Sequence, residues 1–157
     1  NHELKVLKFA FSLPSIIEDL CLQRFFHRLD FAYQLQKILL QFASTYDTAN
    51  KESFYHGFML GMAALFLGKE YTVESNRESG YGRFDIAIFP KDTSKAGVLM
   101  EFKAAENESK LEDKADEALR QIEVRQYSTE FAKRRISNVW KYGIAFCGKQ
   151  VCIKMQK

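Results

Sequence analysis

Apolar residues recur at helical spacing through the first third of the chain. Between Ile16 and Phe42 they return every three or four positions, which predicts two amphipathic helices with a break near Arg28 to Asp30. The polar segment Ser44 to Asn50 is typical of a helix start, and a strong helical pattern follows from Lys51 to Leu67. The pattern therefore predicts a helical extension over residues 1–45, followed by a central helix that begins the core.

Two glycines stand out in the predicted central helix. Gly57 and Gly61 lie one turn apart, and phenylalanines occupy neighbouring positions. Small residues at this spacing favour the close approach of another backbone, while the aromatic side chains supply bulk for packing. We therefore expect the helix to lie flat on a sheet, with a backbone close to the two glycines.

Beyond this helix the pattern changes to the period of two that strands require. Apolar and polar residues alternate from Tyr71 to Ser75 and again from Phe84 to Ile88. A glycine-rich segment, Gly80 to Gly82, separates the two runs and is typical of a turn. These segments predict a β-hairpin.

The remaining pattern predicts one more strand, a helix and a final hairpin. Alternation over Val98 to Lys103 predicts the third strand, and helical spacing from Leu111 to Phe131 predicts a long second central helix. Tyr142 to Phe146 and Val151 to Met155 form two further runs around a tight turn at Gly148 and Lys149. The order is typical of a mixed α/β fold in which a central sheet is flanked by helices.

Composition supports a single globular domain over residues 1–157, with the core at 46–157. The chain is 46% hydrophobic and 27% charged, and its two prolines and eight glycines mark no linker. The longest central run without charge, Gly57 to Gly68, has 12 residues, whereas a membrane-spanning helix needs about 20. We therefore expect no membrane association. The first residue is Asn1 rather than Met, and we expect a piece of a longer protein without a secretory signal.

Cysteine use and net charge give weaker indications. Cys21, Cys147 and Cys152 form no CxxC pair and leave one residue over, which argues against a disulfide framework or a zinc site. A reducing, cytoplasmic location fits best. The net charge of +3 and pI near 8.7 are compatible with a polyanionic partner, without identifying one.

Three residues on the predicted strands carry candidate chemistry. Asp85 and Glu101 lie on neighbouring strands, and Lys103 follows Glu101 on the same face, because alternate residues of a strand point the same way. Mg²⁺ prefers oxygen ligands and often takes one or two carboxylates. A Lys beside such a pair can orient an attacking water or stabilise a phosphate. The arrangement therefore predicts metal-dependent phosphodiester hydrolysis.

Other interpretations remain open for these residues. A Glu-x-Lys triplet also occurs on ordinary solvent-facing strands, but Val98 to Phe102 is otherwise apolar, and charges on such a strand are costly without partners. A buried ion pair between Asp85 and Lys103 is one alternative. A module of the same fold that binds protein or nucleic acid without cleaving is another. A nucleophilic Cys147 is disfavoured, because no His lies near it in a recognisable pattern.

Longer segments resemble a known family. SNRESGYGRFDIAIFP (Ser75 to Pro90), followed by GVLMEFKAAE (Gly97 to Glu106), resembles the PD-(D/E)XK nuclease-like domain found behind AAA-ATPase-like modules in bacteria. YDTANKESFYHGFMLGM is similar to the first core helix of that family, and ALRQIEVRQY with KYGIAFCGK to its last helix and strand. The resemblance covers Tyr46 to Val151. It implies a restriction-endonuclease-like core of αβββαββ order, preceded here by the extra N-terminal helices.

The resemblance also implies roles for individual residues. Asp85 and Glu101 would hold Mg²⁺ or Mn²⁺, Lys103 would be the catalytic lysine, and Gln121 would point back at the site from the following helix. The implied substrate is nucleic acid, with DNA expected, and the implied partner is an AAA-ATPase-like module in a longer chain. The residue before Asp85 is Phe84 rather than Pro, a departure that is common in the class.

Glu52 and His56 match positions of the first core helix. They lie one turn apart, so they share a helix face from which either can supply a further metal ligand or a general base. Glu52 can equally be a carboxylate favoured by the helix dipole, and His56 a histidine satisfied within the core.

The predicted substrate contacts lie around the hairpin turn and after the second central helix. Arg77, Arg83 and Tyr81 flank or occupy the turn that leads into the candidate site, where they can stack on or hydrogen-bond to a nucleic acid. A solvated hairpin tip is the alternative. In related exonucleases a Tyr follows the Gln by four residues; here Arg125 takes that position and Tyr127 lies six away. We therefore expect Arg125 to contact phosphate. Tyr127 is a weaker candidate for substrate binding, because it lies off the helix face that carries the Gln.

Overall fold

The structure, a computed structural model, describes residues 28–44, 51–64 and 70–157. Its helices are α1 (Arg28–Phe42), α2 (Lys51–Ala63), α3 (Leu111–Val124) and α4 (Thr129–Lys133), with a 3₁₀ turn at Glu108–Lys110 before α3. Its strands are β1 (Tyr71–Ser75), β2 (Glu78–Ser79), β3 (Gly82–Arg83), β4 (Ile86–Pro90), β5 (Gly97–Ala104), β6 (Val139–Cys147) and β7 (Gln150–Gln156).

A five-stranded sheet in the order β1-β4-β5-β6-β7 forms the centre of the fold. The pair β5–β6 is parallel and the other neighbours are antiparallel, while β2 and β3 form a small separate hairpin. Parallel neighbours need a crossover, and α3 and α4 provide it between β5 and β6. The predicted mixed α/β fold and the order of its main elements are confirmed, with the small hairpin as an addition.

Each face of the sheet carries its own apolar core. Met100 and Phe102 of β5 point to the face covered by α1 and α2, whereas Leu99 points to the face covered by Ile122 of α3 and Phe131 of α4. Because both faces of the sheet are covered, the sequence of β5 is an almost continuous apolar run rather than an alternation of apolar and polar residues. Glu101 belongs to the α3 face, and this explains why a carboxylate there is buried.

Helix α3 lies unusually close to the sheet where it crosses β6. A Cβ atom at Gly143 would lie 2.2 Å from the carbonyl oxygen of Ala115 and 2.5 Å from the amide nitrogen of Leu119. Only a glycine permits this separation between helix backbone and strand. Gly143 pairs with Glu101 in the β5–β6 ladder, so the close contact fixes α3 directly beside the candidate site.

The prediction of one long helix from Leu111 to Phe131 is wrong. Helix α3 ends at Val124, and Gln126 adopts a left-handed conformation with φ 53° before α4 begins. The amide of Tyr127 then donates to the carbonyl of Ile122 over 3.2 Å, which is typical of a chain that turns back at a helix end. The apolar spacing persists across the break because α4 packs on the same face of the sheet.

The prediction that a backbone closely approaches Gly57 and Gly61 is also wrong. Among the described residues, a Cβ atom at either glycine would have no neighbour within 4 Å, and the buried face of α2 is instead formed by Tyr55, Met59 and Ala63. The second helix predicted in the N-terminal extension is observed as α1. The first predicted helix, the segment 45–50 and the end of the central helix lie outside the described residues. In the part of the chain that the structure describes, no helix has the length and apolarity to span a membrane.

Candidate active site

Asp85 lies in a bend immediately before β4, whereas the sequence pattern predicted it within a strand. Its Oδ2 accepts a hydrogen bond from the backbone N–H of Phe102 over 2.7 Å, which holds the carboxylate against β5. Burial raises the pKa of Asp85, and this outweighs the lowering effects of that hydrogen bond and of the charges of His56 and Lys103. The β4–β5 register places this bend beside Glu101.

Glu101 is the most deeply buried charged group of the site, with 3% of its surface exposed. Its Oε1 accepts a hydrogen bond from Gln121 Nε2 and lies 3.7 Å from Lys103 Nζ. Its Oε2 is buried and has no hydrogen-bond partner among the described residues. Burial, and secondly the negative charge of Asp85, raise the pKa of Glu101 from 4.5 to about 8. In its charged form this carboxylate therefore requires a further cation.

Gln121 links the charged groups from the last turns of α3. Its Oε1 accepts a hydrogen bond from Lys103 Nζ over 2.6 Å, and its Nε2 donates to Glu101 Oε1 and, over 3.2 Å, to the hydroxyl oxygen of Tyr127. Both protons of the amide and its oxygen are thus engaged. Gln121 therefore fixes the relative positions of Glu101 and Lys103.

Asp85, Glu101 and Lys103 line a cleft of about 460 Å³. Its lining residues are Glu52, Ser53, His56, Asn76, Asp85, Glu101, Phe102 and Lys103. The structure thus brings Glu52 and His56 of α2 to the same opening as the predicted catalytic residues. The Nε2 of His56 lies 2.8 Å from the hydroxyl of Ser75, so strand β1 holds the imidazole at the rim.

Comparison with known protein families identifies the family of this chain. A profile of the PD-(D/E)XK nuclease superfamily matches residues 50–156, more than half of the chain. The chain belongs to the PD-(D/E)XK nuclease superfamily. The mixed sheet flanked by helices is consistent with the predicted restriction-endonuclease-like core. A comparison with curated proteins gave no match.

PD-(D/E)XK nucleases typically use divalent metal ions, and two observations show that this site fits one. The buried Oε2 of Glu101 has no partner in the described residues, and the adjacent Asp85 has a raised pKa. Among those residues, no three His, Cys, Asp or Glu side chains form a metal-binding group, so the candidate ligands are a carboxylate pair. Mg²⁺ commonly binds through one or two carboxylates with water and substrate completing its shell. Ligation by Glu52 or His56 stays a prediction.

Asp85 and Lys103 do not form the buried ion pair that was the alternative interpretation of these residues. Lys103 Nζ contacts Gln121 and Glu101, and Asp85 is held by the backbone of Phe102, with no Asp85–Lys103 salt bridge among the described residues. The Asp85 carboxyl group is therefore not paired with Lys103, and it lines the cleft.

Tyr127 reaches Gln121, although its spacing predicted a position off the helix face of that residue. Counting residues along a continuous helix places it off the face of Gln121, but the helix ends at Val124 and the left-handed Gln126 turns the chain back. The Tyr127 ring is 2% exposed and its hydroxyl lies 3.2 Å from Gln121 Nε2. Tyr127 is therefore a buried support for Gln121 in this structure.

The predicted substrate contacts take different positions in this member of the superfamily. Tyr81 is 71% exposed, whereas Arg125 Nη1 donates to the Tyr81 carbonyl over 3.0 Å. Arg77 Nη1 lies 3.1 Å from Glu74, and Arg83 Nη2 lies 3.9 Å from the exposed Glu78. Arg77 and Arg125 are thus engaged by the protein, while Arg83 is weakly paired.

Ser53 and Asn76 line the cleft but were not predicted as site residues. Asn76 follows β1 with φ 52°, a left-handed conformation that Asn tolerates better than most residues, and its Nδ2 lies 3.4 Å from the ring of His56. An Asn directly after a strand and before a glycine-rich turn is the only local signal that indicated it.

Proposed function

We propose that this protein is a nuclease that hydrolyses phosphodiester bonds of nucleic acid, with DNA as the expected substrate and Mg²⁺ or Mn²⁺ as the cofactor. The observation that carries the proposal is the buried Oε2 of Glu101, which lies beside Asp85 and has no hydrogen-bond partner within the described part of the chain. When bound, the metal supplies charge neutralisation at the phosphate, activation of water and stabilisation of the leaving oxygen. Asp85 and Glu101 would hold it.

Lys103 is assigned a role in contacting the substrate and the attacking water. Its ammonium group has three N–H donors; one donates to Gln121, and Glu101 lies 3.7 Å away as an ion pair. The side chain is 20% exposed at the cleft, so a remaining donor can meet a phosphate oxygen or orient the attacking water. Its charge also offsets the growing negative charge on the phosphate as the bond to oxygen forms.

The cleft walls supply the remaining roles. Glu52 and His56 face the carboxylate pair across the opening, where either can accept a proton from water or complete the metal site. The AAA-ATPase-like partner and the cytoplasmic location stay predictions.

Incubation of the purified protein with plasmid, linear and single-stranded DNA and RNA tests the proposal. We expect cleavage with Mg²⁺ or Mn²⁺ and none in EDTA, because the carboxylates hold the only proposed catalyst. Asp85→Asn, purified in parallel, controls for contaminating nucleases and should show background activity. If wild type cuts none of these substrates, the non-cleaving binding module is the better interpretation; if Asp85→Asn cuts as well as wild type, the assigned site is wrong.

Replacing Gln121 by Met should lower kcat about 10- to 100-fold with little change in KM, because residues that orient metal ligands typically have effects of this size. The variant keeps the side-chain length but loses the three contacts to Lys103, Glu101 and Tyr127.

Gln36 of α1 offers a matched control for this substitution. Its Nε2 donates to the Lys149 carbonyl over 2.7 Å and its Oε1 accepts from Val151 N over 3.1 Å, and none of these residues lines the cleft. Gln36→Met should lower the unfolding free energy by about 1–2 kcal/mol, since two hydrogen bonds are lost, yet keep kcat. Equal kcat for Gln121→Met and wild type would refute the positioning role.

A further inference from the structure

The tip of the small hairpin is fastened to the turn between α3 and α4 by its backbone. The amide of Tyr81 donates to the Arg125 carbonyl over 2.8 Å, Arg125 Nη1 donates back to the Tyr81 carbonyl, and Ser79 Oγ donates to the Tyr127 carbonyl over 2.9 Å. Gly80 has φ +58°, and a Cβ atom there would lie 2.1 Å from the Arg125 carbonyl oxygen. The tip is therefore fixed in place from both strands.

The side chain of Tyr81 is left outside this rigid backbone. Its ring is 71% exposed, and none of the described residues forms an aromatic or cation–π contact with it. A ring in this position adds little to folding, because it buries little surface. For a ligand the position is favourable, since a fixed backbone and a side chain with two rotatable bonds lose little entropy on binding.

The tip also adjoins the catalytic carboxylates. A Cβ atom at Gly82 would lie 2.9 Å from the hydroxyl of Tyr127, which contacts Gln121, which in turn contacts Glu101. Along the chain Tyr81 is four residues from Asp85, so the two Cα atoms are at most about 13 Å apart. A nucleic acid in the cleft would therefore pass within reach of the Tyr81 ring.

One arginine next to the tip is available for a phosphate. The side chain of Arg83 is 60% exposed and its partner Glu78 is 87% exposed at 3.9 Å. Exposed pairs of this kind contribute little, so a phosphate can replace the carboxylate. Arg77 is held by Glu74, which also binds Arg134 at 2.8 Å, and is therefore less available.

We propose that Tyr81 stacks on an unpaired base while Arg83 contacts the phosphate of the same strand. The substrate class is then nucleic acid with unpaired nucleotides beside the cleaved bond, such as single strands and overhangs, rather than intact duplex. The reason is that bases in a duplex are already stacked on both faces, whereas an unpaired base offers a free face to an aromatic ring. This inference rests on the proposed nuclease function for its biological meaning.

The test measures binding without cleavage. Fluorescence anisotropy in EDTA compares a labelled single-stranded oligonucleotide, the same sequence as a blunt duplex, and the duplex with an overhang. Tyr81→Ala should weaken binding of the single strand and the overhang about tenfold, and of the duplex less than twofold, given the usual strength of base–aromatic stacking. Tyr81→Phe should bind like wild type, because stacking needs the ring and not the hydroxyl.

Tyr33 provides the matched control, as an exposed tyrosine of α1 at 64% exposure. Tyr33→Ala should leave all three affinities unchanged. The inference is overturned if Tyr81→Ala binds every probe as wild type does, if it weakens duplex and single strand equally, or if Tyr81→Phe loses as much as Tyr81→Ala. Because no cleavage is required, stacking with no activity in Mg²⁺ would refute the proposed nuclease alone, and activity without a Tyr81 effect would refute this inference alone.

Discussion

Glu101→Gln should abolish cleavage and at the same time stabilise the metal-free protein at alkaline pH. We expect activity to fall at least about 1,000-fold, since a metal contributes several kcal/mol of transition-state stabilisation and each 1.36 kcal/mol is tenfold in rate. The amide keeps the shape of the side chain but cannot supply a negative charge to the metal. Activity and stability are thus expected to change in opposite directions.

The stability effect follows from the raised pKa of Glu101. The folded protein retains a proton on this carboxyl up to about pH 8, whereas the unfolded chain loses it near pH 4.5. Between these values the unfolded state binds fewer protons, so stability falls as pH rises, by about 1.4 kcal/mol per unit at most. Gln mimics the protonated form and is not subject to this loss.

Urea unfolding in EDTA at pH 5 and pH 8.5 measures the difference. Wild type should lose stability between the two values, and Glu101→Gln should lose less and be the more stable at pH 8.5. Added Mg²⁺ should stabilise wild type but not the variant, because only wild type supplies both carboxylates. The exposed Glu106→Gln serves as control and should follow wild type throughout. A pH trend in Glu101→Gln that equals that of wild type would contradict the assignment.

Gly143→Ala should strongly destabilise the fold, although the substitution removes no side chain. The added methyl group would meet the backbone of α3 at 2.2 Å and 2.5 Å, so the helix itself must move. Overpacking of this kind costs about 3 kcal/mol, which corresponds to a Tm lower by about 6–12 °C in a chain of this size. Because α3 carries Gln121, the displacement should also reduce activity, although Gly143 has no chemical group of its own.

Gly57→Ala is the matched control for this substitution. Gly57 lies in the exposed part of α2, where an added methyl group would contact none of the residues that the structure describes within 4 Å. Ala favours the helix over Gly by about 1 kcal/mol, so this variant should be more stable than wild type. Thermal unfolding measured for both variants in one buffer decides the matter; a Gly143→Ala protein as stable as wild type would show that α3 is free to shift.

The parts of the fold that local pattern determines were predictable. Alternation located the strands, and the almost continuous apolar run around Glu101 indicated a strand covered on both faces, as β5 is. The placement of Glu101 and Lys103 on one face required only the strand repeat, and both do contact Gln121. The link from Gln121 to the carboxylate came from family resemblance, since it joins residues on different elements.

The incorrect predictions have a common physical cause. The spacing of Gly57 and Gly61 predicted close packing at these two glycines. The close approach of a helix is instead observed at Gly143, because the position of such a contact depends on which helix meets which strand. Tyr127 was predicted off the helix face of Gln121 because its position depends on the left-handed conformation of Gln126, which side-chain patterns do not encode. Both features are decided by tertiary structure.

A largely exposed loop between β4 and β5, residues 91–96, separates the two carboxylates of the site along the chain. A single backbone cut in this loop would leave Asp85 on one fragment and Glu101, Lys103 and Gln121 on the other. Neither fragment alone would carry the carboxylate pair. Hydrolysis would then require the two fragments to reassociate. The domain is therefore suited to being split into two halves, because cleavage of a nucleic acid would report that the halves have associated again.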